Sequence, residues 1–202
     1  MQKRLMASAL SVVAKRGYSE TTISAICDDA GVTRGAFGHY YDGLEQLLTD
    51  VAEEVVRRHI RRLGIVLLNE DSHETRLSTL VEMTWNKVFR SKDGMVMYEL
   101  IAAARTDTAL ALRLNALWTR MNRMFEAAAR HYFTTKPGVN LPVERIFHLH
   151  HWQLRGLLTD EAIDPERVKQ GIDDWIEVFG SLVEAKTDIS GPPTIPGWRG
   201  DA

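Results

Sequence analysis

Three histidines and a tryptophan are close together in the sequence, at His148, His150, His151 and Trp152. Imidazole is the side chain whose ordinary pKa lies nearest neutral pH, and it is also a common metal ligand. His148 and His151 are three residues apart, so on a helix they share one face. Two histidines one turn apart can bind zinc, but the spacing places no Asp or Glu beside them as a further ligand. The cluster therefore predicts a polar pocket lining, a subunit contact or a surface, with an all-helical metal-dependent enzyme using His148 and His151 as an alternative.

The rest of the sequence offers little catalytic chemistry. It has no paired carboxylates, no Ser/His/Asp constellation with supporting context and no Gly-rich phosphate loop. We therefore expect no enzymatic activity, no cofactor and no bound metal. The single cysteine, Cys27, excludes an intramolecular disulfide, and its apolar neighbours predict a small buried side chain.

A second group of residues, near the N-terminus, has the types and spacing that suit contact with DNA. Apolar residues recur at intervals of three and four from Ile23 to Ala30, which predicts a short helix. Gly31 suits the left-handed position that closes a helix, and Thr33 suits the N-cap of the next one. In this second helix, predicted over 33–40, Phe37 and Tyr41 are four residues apart and are expected to point inward together.

The opposite side of that second helix carries small and polar residues. Arg34 has a guanidinium group that can bind a guanine edge through two hydrogen bonds in the major groove. Gly35 and Gly38 leave room for the helix to approach DNA closely. Residues 21–47 therefore predict a helix-turn-helix whose second helix enters a major groove.

This region resembles the DNA-binding domain of the tetracycline-repressor (TetR) family. The matching motifs are Ala7-x-x-Leu10, Gly17-Tyr18, Thr22-x-x-x-Ile26, the run Ala30-Gly31-Val32-Thr33-Arg34-Gly35-Ala36-Phe37, Tyr41 and Glu45-x-x-Leu48. On this resemblance and the pattern together, we expect the DNA-binding residues to be Thr22, Thr33, Arg34, Gly35, Ala36, His39 and Tyr40. The partner would be double-stranded operator DNA.

Two positions depart from the family pattern. Gly38 stands where the family usually has a tyrosine that reaches a phosphate, and Leu44 stands where a lysine usually touches the DNA backbone. Phosphate contacts supply much of the affinity of such proteins for DNA. An alternative is therefore a ligand-binding protein of the same fold with weakened DNA binding.

Composition fits a helical globular protein that is not strongly charged. The chain has 202 residues, 45% hydrophobic and 26% charged, with a formal net charge of −2. Residues 1–41 contain five Lys and Arg against three Asp and Glu, so this region is weakly basic. No apolar run is long enough to cross a membrane, and no secretory leader precedes the body, so we expect a cytoplasmic protein without a membrane partner.

The predicted fold class is all-α, with about nine helices. A three-helix helix-turn-helix DNA-binding domain would occupy residues 1–41, a helical ligand-binding and dimerisation domain 42–188, and a Pro/Gly-rich tail 189–202. The periodicity predicts the later helices over 42–68, 72–90, 95–104, 107–133, 143–159 and 165–186, and no strands.

Large apolar and aromatic side chains in the body predict a cavity, because methionine and aromatic residues often line adaptable apolar pockets. An ordinary core would contain the same residue types, and the family resemblance is what favours a ligand. The candidate ligand-binding residues are Trp85, Phe89, Met97, Tyr98, Ile101, Trp118, Met121, Phe125, His148, His151 and Trp152.

The last two predicted helices carry more apolar surface than one subunit needs, and a homodimer formed through them would bury it in a four-helix bundle. The resemblance then implies a ligand-responsive repressor. It would bind palindromic operator DNA as a dimer and be released by a small apolar or aromatic effector. Whether the effector releases the DNA or promotes binding stays open.

Overall fold

The structure is a computed structural model that describes residues 1–69, 75–189, 191 and 193. These residues form nine α-helices, one π-helical segment and one small two-stranded sheet. The predicted all-α class is confirmed, although the two strands were not predicted. Most of the predicted tail, and the predicted helix start at residue 72, lie outside the described residues.

The predicted helix-turn-helix domain contains three helices, α1 (Gln2–Arg16), α2 (Ile23–Ala30) and α3 (Arg34–Gly38). Helix α1 ends at Gly17, whose φ of 76° lies in the left-handed region that favours glycine. The apolar side of α1 is buried, as its periodicity predicts, through Leu5, Ala9, Val12 and Val13.

Six further helices, a π-helical segment and two strands complete the described chain. In order they are α4 (Leu44–Asn69), α5 (Arg76–Met83), the π-helical segment (Thr84–Phe89), α6 (Lys92–Ala103), α7 (Thr108–Tyr132), β1 (Phe133–Thr135), α8 (Val143–Asp160), α9 (Pro165–Leu182) and β2 (Val183–Ala185). Asp164 caps α9 by accepting from Arg167 N at 3.1 Å, and Pro165 occupies the first helical position, as predicted.

Two predicted helix limits in the body were wrong, and one predicted helix changes its geometry along its length. Helix α6 begins at Lys92 rather than Met95, because the Ser91 hydroxyl accepts a hydrogen bond from Gly94 N at 3.0 Å and caps the helix earlier. Helix α9 ends at Leu182, because Val183–Ala185 pairs antiparallel with Phe133–Thr135. The predicted helix over 72–90 changes from α to π geometry at Thr84, and apolar periodicity does not register such a change.

The chain divides into two compact units. The first unit contains Met1–His59 and Arg90–Thr119, and the second contains Ile60–Phe89 and Arg120–Ala202. The first therefore holds α1 to α3, α6 and the beginnings of α4 and α7. The second holds α5, α8, α9, the sheet and the ends of α4 and α7. The functional boundary predicted at Asp42 remains a prediction, since this division follows packing alone.

Candidate functional site

Side-chain caps fix the two helices of the helix-turn-helix. Thr22 Oγ1 accepts from Ala25 N at 3.1 Å at the start of α2, and Thr33 Oγ1 accepts from Ala36 N at 3.1 Å at the start of α3. Gly31 closes α2 in the left-handed conformation, with φ 60° and ψ 45°. The caps predicted at Thr33 and Gly31 are therefore confirmed.

Helix α3 has one buried side and one open side. Phe37 and Tyr41 are both buried, with their ring centroids 5.7 Å apart. The candidate DNA-binding residues are exposed except for Ala36, which is half-buried: Thr22, Thr33, Arg34, Gly35, His39 and Tyr40. The helix ends at Gly38 instead of Tyr40, because glycine is a weak helix former, so His39 and Tyr40 lie just beyond it.

The two positions that depart from the family pattern also differ in exposure. Gly38 is exposed, and a Cβ added there would meet no atom within 4 Å. Leu44 is half-buried at the start of α4. Gly38 therefore leaves an open place on the outer surface of the helix-turn-helix, while Leu44 takes part in packing.

The turn between α1 and α2 is held by two carboxylates within the first unit. Tyr18 Oη donates to Asp107 Oδ2 at 2.5 Å, and Tyr18 N donates to Glu99 Oε2 at 3.2 Å. Burial and the hydrogen bond to Asp107 raise the pKa of Tyr18, so the phenol keeps its proton. The Leu110 amide and the Tyr18 hydroxyl lower the pKa of Asp107. The turn is thus anchored to the end of α6 and the start of α7.

The second unit encloses a cavity of about 280 Å³. Its lining is almost entirely apolar and is supplied by the end of α4, by α5, α7 and α8, by strand β1, and by two isolated positions: Ile60, Arg61, Leu63, Gly64, Leu67, Leu80, Thr84, Met124, Phe125, Ala128, Ala129, Tyr132, Phe133, Phe147, His150, His151 and Pro193. Arg61 is the only Lys, Arg, Asp or Glu among these lining residues. The volume suits a molecule of about one substituted aromatic ring, below the range typical of drug-sized ligands.

Only two of the candidate ligand-binding residues, Phe125 and His151, line this cavity. Five others belong to the same unit but not to the lining: Trp85, Phe89, Met121, His148 and Trp152. The remaining four belong to the first unit: Met97, Tyr98, Ile101 and Trp118. Their roles in ligand binding stay predictions.

Sequence reasoning missed His150, although a signal for it existed. His150 is 1% exposed and lies between Ile146 and Leu154, which are four residues away on either side and fully buried. This spacing identifies the inner face of α8. The pairing of His148 with His151 at an interval of three drew attention to a different face.

The imidazole of His150 is packed inside the second unit. It stacks on Phe179 at a centroid distance of 4.8 Å, and its Nδ1 accepts a hydrogen bond from Trp175 Nε1 at 2.9 Å. Burial lowers the pKa of His150 well below its usual range. The ring is therefore neutral at pH 7.

The neighbouring His151 has a different environment. Its Nδ1 lies 2.9 Å from the Phe147 carbonyl oxygen, and its ring centroid is 4.4 Å from that of Phe125. Burial lowers the pKa of His151 to about 4. Both histidines that line the cavity are thus uncharged at pH 7.

His148 lies apart from the cavity. Its Nε2 is 3.1 Å from Glu126 Oε1, and its ring stacks on Trp152, which is 60% exposed. Within the described ranges, no three His, Cys, Asp or Glu residues are grouped as a metal ion would require. The carboxylate that the sequence did not place beside His148 is therefore present, but as a single partner.

Helices α8 and α9 expose apolar side chains and also pack closely on each other. Leu149, Trp152 and Val178 are exposed on their surfaces, as is Ile163 in the turn between them. A Cβ at Gly171 would lie 2.8 Å from Leu157 Cδ2, whereas a Cβ at Gly156 would meet no atom within 4 Å. The close approach within the subunit is therefore at Gly171.

An N-terminal helix-turn-helix with an exposed polar side, joined to a helical body with an apolar cavity, defines the transcriptional-regulator class of helical proteins. A model of "Bacterial regulatory proteins, tetR family" matches residues 5–51. The match covers the three helices of the helix-turn-helix and the start of α4. Among the described residues, no helix is long and apolar enough to span a membrane.

Known proteins extend the likeness beyond the helix-turn-helix. An uncharacterized HTH-type transcriptional regulator of Mycobacterium tuberculosis is 24% identical over 131 residues, which is 63% of this chain and 65% of that protein. The HTH-type transcriptional regulator BetI 1 of Chromohalobacter salexigens is 22% identical over 209 residues, covering 93% of this chain and 95% of its own. A transcriptional regulator of Saccharomonospora viridis, solved in complex with choline, has a TM-score of 0.68 at 16% identity, covering 91% of this chain and 97% of its own.

Proposed function

We propose that the chain is a ligand-responsive transcriptional repressor that binds palindromic operator DNA as a homodimer and acts in the cytoplasm. The observation that carries the proposal is the open side of α3, where Arg34, His39 and Tyr40 are exposed beside Gly35 and Gly38. A short capped helix with this surface suits a major groove. Arg34 would read a guanine through its guanidinium fork, while Thr22, Thr33 and Tyr40 would contact phosphates or base edges.

The exposed apolar side chains of α8 and α9 support a homodimer. Trp152 is 60% exposed and Val178 48% exposed, and the exposed Gly156 leaves open space on the surface of α8. A four-helix bundle formed by these two helices and their copies would remove this surface from water. Two subunits would also present two recognition helices to half-sites about one helical turn apart.

The apolar cavity of the second unit supports a small effector. For a ligand to control DNA binding, it must bind the DNA-binding and non-binding conformations with different affinity. The choline-bound neighbour raises a cationic ligand as one possibility, because aromatic rings can bind a quaternary ammonium. The lining residues of this cavity include Arg61 and no carboxylate, which disfavours a cationic ligand.

The test is binding of the full chain to the intergenic DNA beside its own gene, measured by fluorescence anisotropy over a range of salt concentrations. We expect specific binding that weakens steeply with salt, at two chains per palindrome. Arg34→Ala should weaken operator binding by about 1–3 kcal/mol if the residue reads a base. The control Arg113→Ala removes an exposed arginine of α7 and should leave DNA affinity unchanged. Equal loss in both variants, or binding without sequence preference, would contradict the proposal.

A second candidate is the same fold with weak DNA binding, favoured by the missing side chain at Gly38 and the half-buried Leu44. Gly38→Tyr distinguishes the two, because the space around Gly38 is open enough to accept a side chain. If the natural chain binds weakly for lack of a phosphate contact, Gly38→Tyr should tighten binding to any DNA sequence. An unchanged or lower DNA affinity in this variant would show that the natural chain does not lack a phosphate contact at this position.

A further inference from the structure

The two buried histidines of α8 are held in opposite tautomers. An indole N–H can only donate, so the bond from Trp175 Nε1 requires His150 Nδ1 to be the acceptor. The neutral ring of His150 then carries its hydrogen on Nε2. A carbonyl oxygen can only accept, so the 2.9 Å contact with Phe147 O requires His151 Nδ1 to carry the hydrogen. His151 Nε2 is therefore left with a lone pair.

Both remaining nitrogens belong to residues of the cavity lining, and neither has a partner in the part of the chain that the structure describes. His150 Nε2 is buried without a hydrogen bond, and His151 forms its single hydrogen bond through Nδ1. The two ring centroids are 5.4 Å apart and the rings are nearly perpendicular, at 86°. One histidine of the lining therefore has an unused donor, and its neighbour in the lining has an unused acceptor.

Two further hydroxyl groups of the lining lack partners among the described residues. They are Thr84 Oγ1, at the start of the π-helical segment, and Tyr132 Oη, at the end of α7. Thr84 is 0% exposed and Tyr132 is 1% exposed. A buried polar group without a hydrogen bond is costly, and a bound molecule can remove that cost.

We infer that the cavity selects a neutral phenol, whose hydroxyl oxygen accepts from His150 Nε2–H while its hydrogen is donated to His151 Nε2. This inference rests on the proposed effector-binding function of the same cavity. The phenyl ring would lie among apolar and aromatic side chains, which include Met124, Phe125 and Phe147. A phenol, with a pKa of about 10 like that of tyrosine, keeps its hydrogen at pH 7.

Other ligand classes fit this pair of nitrogens less well. A carboxylate only accepts, so it would set its negative charge against the lone pair of His151 Nε2. A quaternary ammonium would face the N–H of His150 and has no hydrogen to donate. A hydrocarbon would leave both nitrogens without partners.

The first measurement uses calorimetry on the full-length protein with four matched probes: 4-ethylphenol, 4-ethylanisole, 4-ethyltoluene and 4-ethylbenzoate. We expect 4-ethylphenol to bind about tenfold more tightly than 4-ethyltoluene, because it supplies both missing hydrogen bonds. 4-Ethylanisole, which accepts but cannot donate, should lie between them. Equal affinity for the phenol and the hydrocarbon would overturn the inference and leave the apolar effector cavity standing. Tighter binding of 4-ethylbenzoate would also overturn it, and binding of no probe would count against the effector proposal as well.

The second measurement separates selection by the histidines from the shape of the cavity. His151→Phe removes the acceptor and should reduce the preference for 4-ethylphenol to near unity, with the affinity for 4-ethyltoluene nearly kept. The control His148→Phe changes a histidine outside the lining and should keep the full preference. A preference that survives His151→Phe would overturn the inference.

The third measurement needs no ligand. Nitrogen-15 NMR of labelled histidine side chains at pH 7 distinguishes the two neutral tautomers, and we expect hydrogen on Nε2 of His150 and on Nδ1 of His151. Trp175→Phe removes the bond that fixes His150 and should release it to a mixture of tautomers, while His151 stays unchanged. The same tautomer on both rings of the natural protein, or a charged ring at pH 7, would overturn the inference.

Discussion

Hydroxyl groups that cap or anchor the helix-turn-helix and hydroxyl groups that line the cavity differ in whether they have hydrogen-bond partners. In the first unit, the hydroxyl groups of Thr22 and Thr33 accept hydrogen bonds that cap the starts of α2 and α3, and the hydroxyl group of Tyr18 donates one that anchors the α1–α2 turn. In the second unit, Thr84 and Tyr132 carry hydroxyl groups of the same kinds without partners among the described residues. Satisfied groups give a fixed shape, whereas unsatisfied groups at a cavity leave hydrogen-bonding capacity for something that binds there.

The largest expected effect tests whether aromatic packing holds the cavity wall. Phe179 is fully buried and stacks on His150, so Phe179→Ala should lower the free energy of unfolding by about 3–5 kcal/mol. Urea unfolding followed by tryptophan fluorescence measures this, because Trp85, Trp152 and Trp175 lie in the second unit. The exposed neighbour Glu177→Ala is the control, and similar losses in both variants would contradict the packing argument.

The next largest effect is expected on acidification, which should destabilise the second unit more than the first. His150 and His151 have pKa values below that of a free histidine, and that of His151 is about 4. Between about pH 6.5 and 4 the unfolded chain therefore binds protons that the folded chain does not. Stability of the second unit should fall on acidification by up to about 1.4 kcal/mol per pH unit for each histidine.

The first unit should respond differently over that range. Because the pKa of Asp107 is lowered, its contribution to the stability of the first unit is kept until the pH falls into the ordinary titration range of an aspartate. The pKa of Asp50 is raised, so its contribution to stability has the opposite sign. Amide hydrogen exchange at pH 7 and pH 5 checks this, with protection in α8 and α9 falling before protection in α2. An equal loss of amide protection in both units would show that the two histidines do not determine the sensitivity of the protein to acid.

A smaller effect is expected at the anchor of the α1–α2 turn. Tyr18→Phe removes the hydrogen bond to Asp107 and should cost about 1–2 kcal/mol, because the lost partner is a carboxylate. Tyr40→Phe serves as the matched change, since Tyr40 is 46% exposed, and should have almost no effect on stability. Thermal unfolding of both variants makes the comparison, and a neutral Tyr18→Phe would show that the anchor contributes little.

The smallest effect has the opposite sign. Replacing the unpartnered hydroxyl groups with carbon, as in Thr84→Val and Tyr132→Phe, should leave the ligand-free protein equally stable or raise its stability by up to about 1 kcal/mol. The midpoint of thermal unfolding would then stay the same or rise by a few degrees. A clear loss of stability would mean that these hydroxyl groups already have partners, and the contrast between the two regions would disappear.

Local chemistry made the helix-turn-helix predictable from the sequence. The caps at Thr33 and Gly31, the inward pair Phe37 and Tyr41, and the start of α9 at Pro165 each depend on residues within one turn. These signals operate in any context, so the sequence alone contains them.

The cavity was less predictable because it depends on which elements meet. Phe125 and His151 were expected, but His150 was passed over and four candidates, including Trp118, belong to the other unit. Glu99 and Asp107 hold Tyr18, and no local sequence signal indicates this contact. Helical periodicity shows that a side chain faces inward, but not which neighbour it will contact.

The pairing of β1 with β2 has a consequence for the order in which the second unit is completed during translation. Phe133 pairs with Ala185, so β1 leaves the ribosome about fifty residues before its partner strand. Until then its backbone hydrogen-bonding groups form an open edge that can pair with another nascent chain. The growing polypeptide is therefore expected to be most prone to association after residue 135 has emerged and before residue 185 has followed.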